Sequence, residues 1–268
     1  MKKQTLISLA VLCTLIVLGF GLLNRNRAET TLLANSEVTT THETNQNLVT
    51  KEFKEFPDFI YSIGPRFGGI TKTELSKMTS IEAFLDNEVL KDITSVSSTS
   101  LTIVMNDEFS EFKANGQSKA FTREQLDFLK ALKYSTNFVL RVDFTEIDKA
   151  SGQLINNYRS PYHTIIPEKQ AVYSEGKDAL KLFLKDNIQT ELIGVNPEKL
   201  KPAKLYFTIT ETGSVKNIRL DRDSGYPEVD KKMIKLMNHL PGTWTPANND
   251  KGEPVEQELV VFFGLMGC

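Results

Sequence analysis

The chain has 268 residues, 40% of them hydrophobic and 25% charged, with 32 Lys and Arg against 34 Asp and Glu. The composition is that of an ordinary globular protein, the length leaves room for a membrane segment and about two domains, and a net charge of −2 supplies no electrostatic footprint for a nucleic-acid partner. The two cysteines, Cys13 and Cys268, lie near opposite ends, which excludes a disulfide framework; Cys268 reads as a free or an intermolecular thiol.

Met1-Lys2-Lys3 precedes an apolar run from Leu6 to Leu23, broken only by Ser8, Thr14, Gly19 and Gly21. A secretory signal needs an apolar core of roughly 7 to 15 residues, and a spanning helix needs about 17 to 25. The run therefore predicts a transmembrane signal anchor over residues 1–24 rather than a cleaved signal. Cys13 does not read as a lipidation site, because Leu12 before it is large and the apolar run continues beyond it. Lys2 and Lys3 on one flank face Arg25 and Arg27 on the other. The charged globular sequence that follows sets the expected orientation: N-terminus inside, body in the periplasm. Residues 25–57, rich in Thr, Asn, Glu and Ser, read as a flexible tether without a core.

A mainly β domain with one or two helices is expected over 58–168. It opens on Gly64-Pro65-Arg66-Phe67-Gly68-Gly69, which reads as a turn cluster, since no G-K-S/T follows to make a phosphate loop. Leu101, Ile103 and Met105 alternate as in a strand. Thr122-Arg123-Glu124-Gln125 has the form of a capping box, followed by Leu126, Leu129 and Leu132 on one helical face. Phe138, Leu140, Val142 and Phe144 then share one face of a second strand, and the segment from Ser160 to Ile165 reads as a close connector to the last domain.

The final domain, 169–268, starts with a helix in which Leu180, Phe183, Leu184 and Ile188 recur at helical spacing. Leu205, Phe207 and Ile209 alternate with polar neighbours, Gly213 supplies a turn, and Lys216, Ile218 and Leu220 share one face of the return strand. Pro227 suits a first helical turn, Val229, Met233, Leu236, Met237 and Leu240 form an apolar stripe, and Pro241-Gly242 stops the helix. Trp244 reads as a core ring. The last strand is apolar on both faces in its C-terminal half: Gln257, Leu259, Val261 and Phe263 lie on one side, and Glu258, Val260 and Phe262 on the other.

The order strand, Gly turn, strand, helix, Trp244-Thr245-Pro246 and final strand resembles the C-terminal domain of TonB-type energy transducers. The run AVYSEGKDALKLFLKDNI is similar to the helical lead-in of transducers of Bacteroidetes type. More weakly, residues 100–148 resemble modules of periplasmic shaft proteins in gliding and type IX secretion machinery. The first resemblance implies an α+β architecture ending in β-β-α-β, and a partner peptide, the N-terminal segment of an outer-membrane transporter, added as a strand. On that reading Glu256, Gln257, Glu258, Leu259, Val260, Val261 and Phe262 form an open edge strand that receives it. The family also implies an ion-driven motor in the inner membrane. Family anchors carry a Ser and a His one turn apart; here Ser8 is followed by Leu12, and the span has no His. Two functions follow as expectations: a transducer that engages a transporter, or an envelope scaffold that docks into a gliding or secretion complex without transducing energy.

No catalytic, cofactor-binding or metal residue is expected. His42, His163 and His239 lie far apart, and H-E-x-x-H, C-x-x-C and G-x-S-x-G are all missing. Asp221, Asp223 and Asp230 around Gly225 have oxygen ligands, but the loop is too short for calcium and lacks a closing Glu.

Overall fold

A computed structural model describes residues 59–264. The expected anchor at 6–23, the tether at 25–57, Cys13, His42 and Cys268 lie outside the described residues. Among the described residues no helix is long and apolar enough to cross a membrane. The protein is of mixed α+β class, mainly sheet, with two hydrophobic cores.

Strand β1 (Ile60–Gly64) is followed by β2 (Gly68–Thr71), the short helices α1 (Lys72–Leu75) and α2 (Asn87–Asp92), and the long hairpin β3 (Ile93–Met105) and β4 (Glu108–Gly116). Helix α3 (Arg123–Ala131), β5 (Asn137–Ile147), β6 (Leu154–Arg159) and β7 (Tyr162–Ile166) complete the first lobe. Its sheet has the order β2-β7-β5-β3-β4, with β6 beside the far half of β5. Only β2 and β7 run parallel. The even-numbered residues of β5, Phe138, Leu140, Val142 and Phe144, point into the core under the helices with Leu101, Leu129 and Ile165, as their alternation predicts.

The capping box at α3 forms: Gln125 N–H donates to Thr122 Oγ1 (3.2 Å) and Thr122 N–H to Gln125 Oε1 (3.0 Å). The cap also ties the helix to the sheet, because the buried Gln125 donates Nε2 to Thr99 Oγ1 at 3.0 Å. Ser160 to Ile165, expected as a connector, instead holds most of β7, an interior strand of the sheet. It was illegible because five residues after a Pro, with Tyr162 and His163 among them, show no clean alternation.

The second lobe contains β8 (Val172–Tyr173), α4 (Lys177–Leu192), β9 (Ala203–Ile209), β10 (Val215–Arg222), α5 (Pro227–Asn238), β11 (Trp244–Thr245), β12 (Ala247–Asn248), β13 (Pro254–Val255) and β14 (Gln257–Phe263). Its main sheet is antiparallel throughout, in the order β1-β14-β9-β10. Helices α4 and α5 bury Leu180, Leu184, Ile188, Val229, Met233 and Met237 against Leu205, Phe207, Leu259, Val261 and Phe263. Trp244 lies in this core beside Tyr173 (5.3 Å between rings) and Phe207 (5.7 Å). At the β9–β10 turn Gly213 has φ +79°, and a Cβ there would stand 2.1 Å from the Trp244 carbonyl oxygen. Glycine is required on both counts.

The first strand of the region expected as the middle domain thus belongs to the other lobe. β1 pairs with the last strand, Ile60 opposite Phe263 and Gly64 opposite Val260, and it buries Phe59, Ile60 and Ile63 in the C-terminal core.

Candidate partner-binding edge

Six of the seven residues expected on an open edge lie in an interior strand of the sheet and Glu256 lies just before it, which corrects the expectation. Glu256 precedes β14 and pairs with Lys216 across β9. Gln257 is buried; its Oε1 accepts from Ala171 N–H at 2.8 Å, and its Nε2 donates to Gln170 at 3.2 Å. Glu258 accepts from Arg219 Nη1 at 2.6 Å. Leu259 and Val261 point into the helix-side core, Val260 is buried on the opposite face, and Phe262 is half-buried.

One side of β14 is zipped to β9 from Gln257 to Phe263. The other side is taken by β1 from Val260 to Phe263 and, at Glu258, by Ser135, whose Oγ accepts the backbone N–H at 2.8 Å. The physical reason was present in the pattern. A strand apolar on both faces is an interior strand, and interior strands have two neighbours. Periodicity does not name the second neighbour, which here comes from Ile60–Gly64.

The edges of this sheet are β1, five residues long with a bulge at Tyr61, and β10. β10 is bulged at two places, and Asn217 within it has φ +53°. Its exposed Lys216, Arg219 and Arg222 are paired to Glu256, Glu258 and Asp107. Bulges and charges are how natural edge strands resist unplanned pairing.

The face of the sheet away from the helices carries a charged cluster that sequence reading did not single out. Arg66 from the β1–β2 loop pairs with Asp107 and stands 3.6 Å from Asp221. Lys204 pairs with Asp107 and, at 3.0 Å, with Asp221. Arg222 reaches Asp107 at 3.1 Å. Arg66 also donates to Tyr206 Oη and lies over the rings of Phe67 and Tyr206. Burial holds the Lys204 amine below its ordinary value, with Asp221 opposing the shift, and burial raises the Tyr206 phenol. Three cations around two carboxylates bind the β3–β4 tip and the β1–β2 loop onto the C-terminal sheet. One signal was available: Asn106-Asp107, with φ +51° and +65°, is the two-residue turn that an Asn-Asp pair between strands announces.

Beside this cluster runs a groove of about 420 Å³, lined by Val104, Phe112, Asn137, Tyr206, Arg219 and Glu258 among others. It lies next to the half of β14 that β1 leaves uncovered.

The remaining candidates disperse. Asp221 enters the cluster, Asp223 accepts the Gly225 N–H, and Asp230 accepts the Ser224 N–H, so the three do not converge on one cation. Burial raises the Asp230 carboxyl. His163 packs between Phe84 and Phe138, and burial lowers its pKa; the His239 ring bonds the Lys235 carbonyl. Among the described residues no group of three His, Cys, Asp or Glu is placed to hold a metal. No family model, curated protein or solved structure matches the chain.

Proposed function

We propose that the chain is a membrane-anchored, non-enzymatic envelope adaptor with a TonB-like C-terminal lobe, which holds a periplasmic partner without passing force to a transporter. The observation that carries this reading is the closure of β14: the strand on which a transporter peptide would be added already has β9 on one side and β1 with Ser135 on the other. A partner then meets the groove between Phe112 and Arg219 and the β10 edge beside it. The charged cluster keeps both lobes of that groove in register.

The transducer reading keeps two supporting observations. The β-β-α-β order of β9, β10, α5 and β14 is the one its resemblance implied, and β1 is short and bulged. On that reading the transporter peptide exchanges with β1. The two readings separate by crosslinking in cells from photoreactive residues at Phe112 and at Ser62, one on the groove and one on β1. Capture of inner-membrane or secretion-complex proteins through Phe112 supports the adaptor. Capture of an outer-membrane transporter through Ser62, competed by its free N-terminal peptide, overturns it in favour of the transducer.

A further inference from the structure

The β6 strand is an edge of a different kind from the others. β10 is bulged and charged, β1 is short and bulged, β2 has four residues, and β4 carries Glu108, Glu111 and Lys113 with a shift in its pairing. β6, sequence LINNYR, pairs with β5 in an unbroken register from Arg159 opposite Val142 to Leu154 opposite Ile147. It has no Pro and no bulge, and its one charge is at its end. Leu154 is 64% exposed and Tyr158 53%, and no strand among the described residues pairs with the outer side of β6. An uninterrupted edge with exposed apolar side chains is a template for another strand.

Hydrogen-bond parity identifies the template. Asp148 N–H donates to the Gln153 carbonyl, so residue 153, and with it 155, 157 and 159, directs its backbone toward β5. The Tyr158 N–H is held instead by the Asn157 side chain and its carbonyl by Arg159, both on the outer side. Leu154, Asn156 and Tyr158 therefore present their backbone groups outward. This set is symmetric about Asn156. An antiparallel neighbour of the same sequence, turned about a two-fold axis at Asn156, places Asn156 opposite Asn156, where about two backbone hydrogen bonds form, and Leu154 opposite Tyr158, where about four more form as the Asn157 and Arg159 side chains release the Tyr158 N–H and carbonyl.

The side chains fit the same register. Leu154, Asn156 and Tyr158 lie on the face away from the helices, where Leu154 already neighbours Ile147 on β5, itself 55% exposed. The two-fold seats Tyr158 of the second copy on the other flank of Leu154, which makes an apolar cluster of Ile147, Leu154 and Tyr158 at each end of the contact. The two Arg159 residues face Gln153 of the opposite copy and stand roughly 20 Å apart, so the only charges on the strand do not oppose each other. We infer that β6 is a self-association edge, through which two copies of this chain join their first-lobe sheets into one continuous sheet.

The test uses the full-length chain with Cys13 and Cys268 replaced by Ser. Adding Asn156→Cys should give, on mild oxidation of membranes, a species of twice the chain mass. Copies carrying Leu154→Cys and Tyr158→Cys under different tags should crosslink to each other when co-expressed, and neither should crosslink when expressed alone. The Asn156 N–H points outward, so Asn156→Pro spares the bonds to β5 and removes those to the second copy. It should weaken self-association of the detergent-solubilised chain about tenfold or more in sedimentation, and Asn156→Lys, which sets two ammonium groups on the axis, should do the same. A one-copy mass across the concentration range, or crosslinking from Lys113→Cys on β4 as efficient as from Asn156→Cys, overturns the proposal. Should Asn156→Pro fail to fold, Asn156→Lys and the paired-cysteine register decide it.

Discussion

β14 and β6 are both strands with large apolar side chains, and the two lobes treat them oppositely. In β14 every second residue faces the helices, the alternate set faces the first lobe, and both backbone edges are occupied. In β6 one edge is occupied, Leu154 is largely exposed, and Tyr158 is half exposed with Arg141 stacked over its ring. Apolarity thus reports burial and not position within a sheet. The openness of an edge is decided by what lies alongside it, and that is often a segment distant in sequence. What distinguishes a template from a core strand is apolar exposure together with a regular, uncharged backbone.

Truncation tests this contrast most severely at the closed strand. Phe263→Ala should cost about 3–5 kcal/mol in urea unfolding, and Ile63→Ala on β1 about 2–5 kcal/mol, because both side chains are buried in one core. A loss below about 1 kcal/mol for Ile63→Ala would mean that β1 is a removable strand, and would return the transporter peptide to β14. Next in size is Asp221→Asn. It leaves the buried Lys204 and Arg66 one carboxylate short, and it should cost about 3 kcal/mol. The double variant Asp221→Asn/Lys204→Met should recover part of that loss in the same assay.

A pH experiment touches the first lobe. Burial lowers the His163 pKa below its ordinary 6.5, so the unfolded chain binds the proton more readily than the native one. Stability is therefore full above pH 6.5 and falls as pH drops through that value toward the folded pKa. His163→Phe should show a shallower loss between pH 7 and pH 5, measured as urea midpoints; identical slopes would remove His163 as the source. The smallest effect belongs to the open strand. Tyr158→Ala should change unfolding stability of the dilute, one-copy chain by no more than about 1 kcal/mol, the loss of its stacking with Arg141, and a larger loss would place Tyr158 in a core the structure does not give it.

Much of the local structure was legible because it is encoded locally. The Thr122–Gln125 box, Gly213 at the turn, Pro227 at the start of α5, the alternation in β5 and β9, and Trp244 in the core each follow from residues within one turn or one strand. The neighbour of β14 did not follow, since Ile60–Gly64 opens a Gly- and Pro-rich stretch that reads as a turn, and no periodic signal links it to residues 260–263. The charged cluster was hidden for a related reason. Lys204 and Tyr206 alternate with apolar residues as a solvent face would, and only the arrival of Arg66 and Asp107 buries them.

The pairing of β1 with β14 also sets an order of events during synthesis. Phe59, Ile60 and Ile63 are made long before their strand partner, Val260 to Phe263. Contacts between segments so far apart in sequence close slowly, since the intervening chain must first surrender its freedom. The first lobe has a core without β1 and can form while translation continues. The second lobe waits for residues 257–263, and until they are made its opening strand, Ile60–Gly64, is an unburied apolar segment.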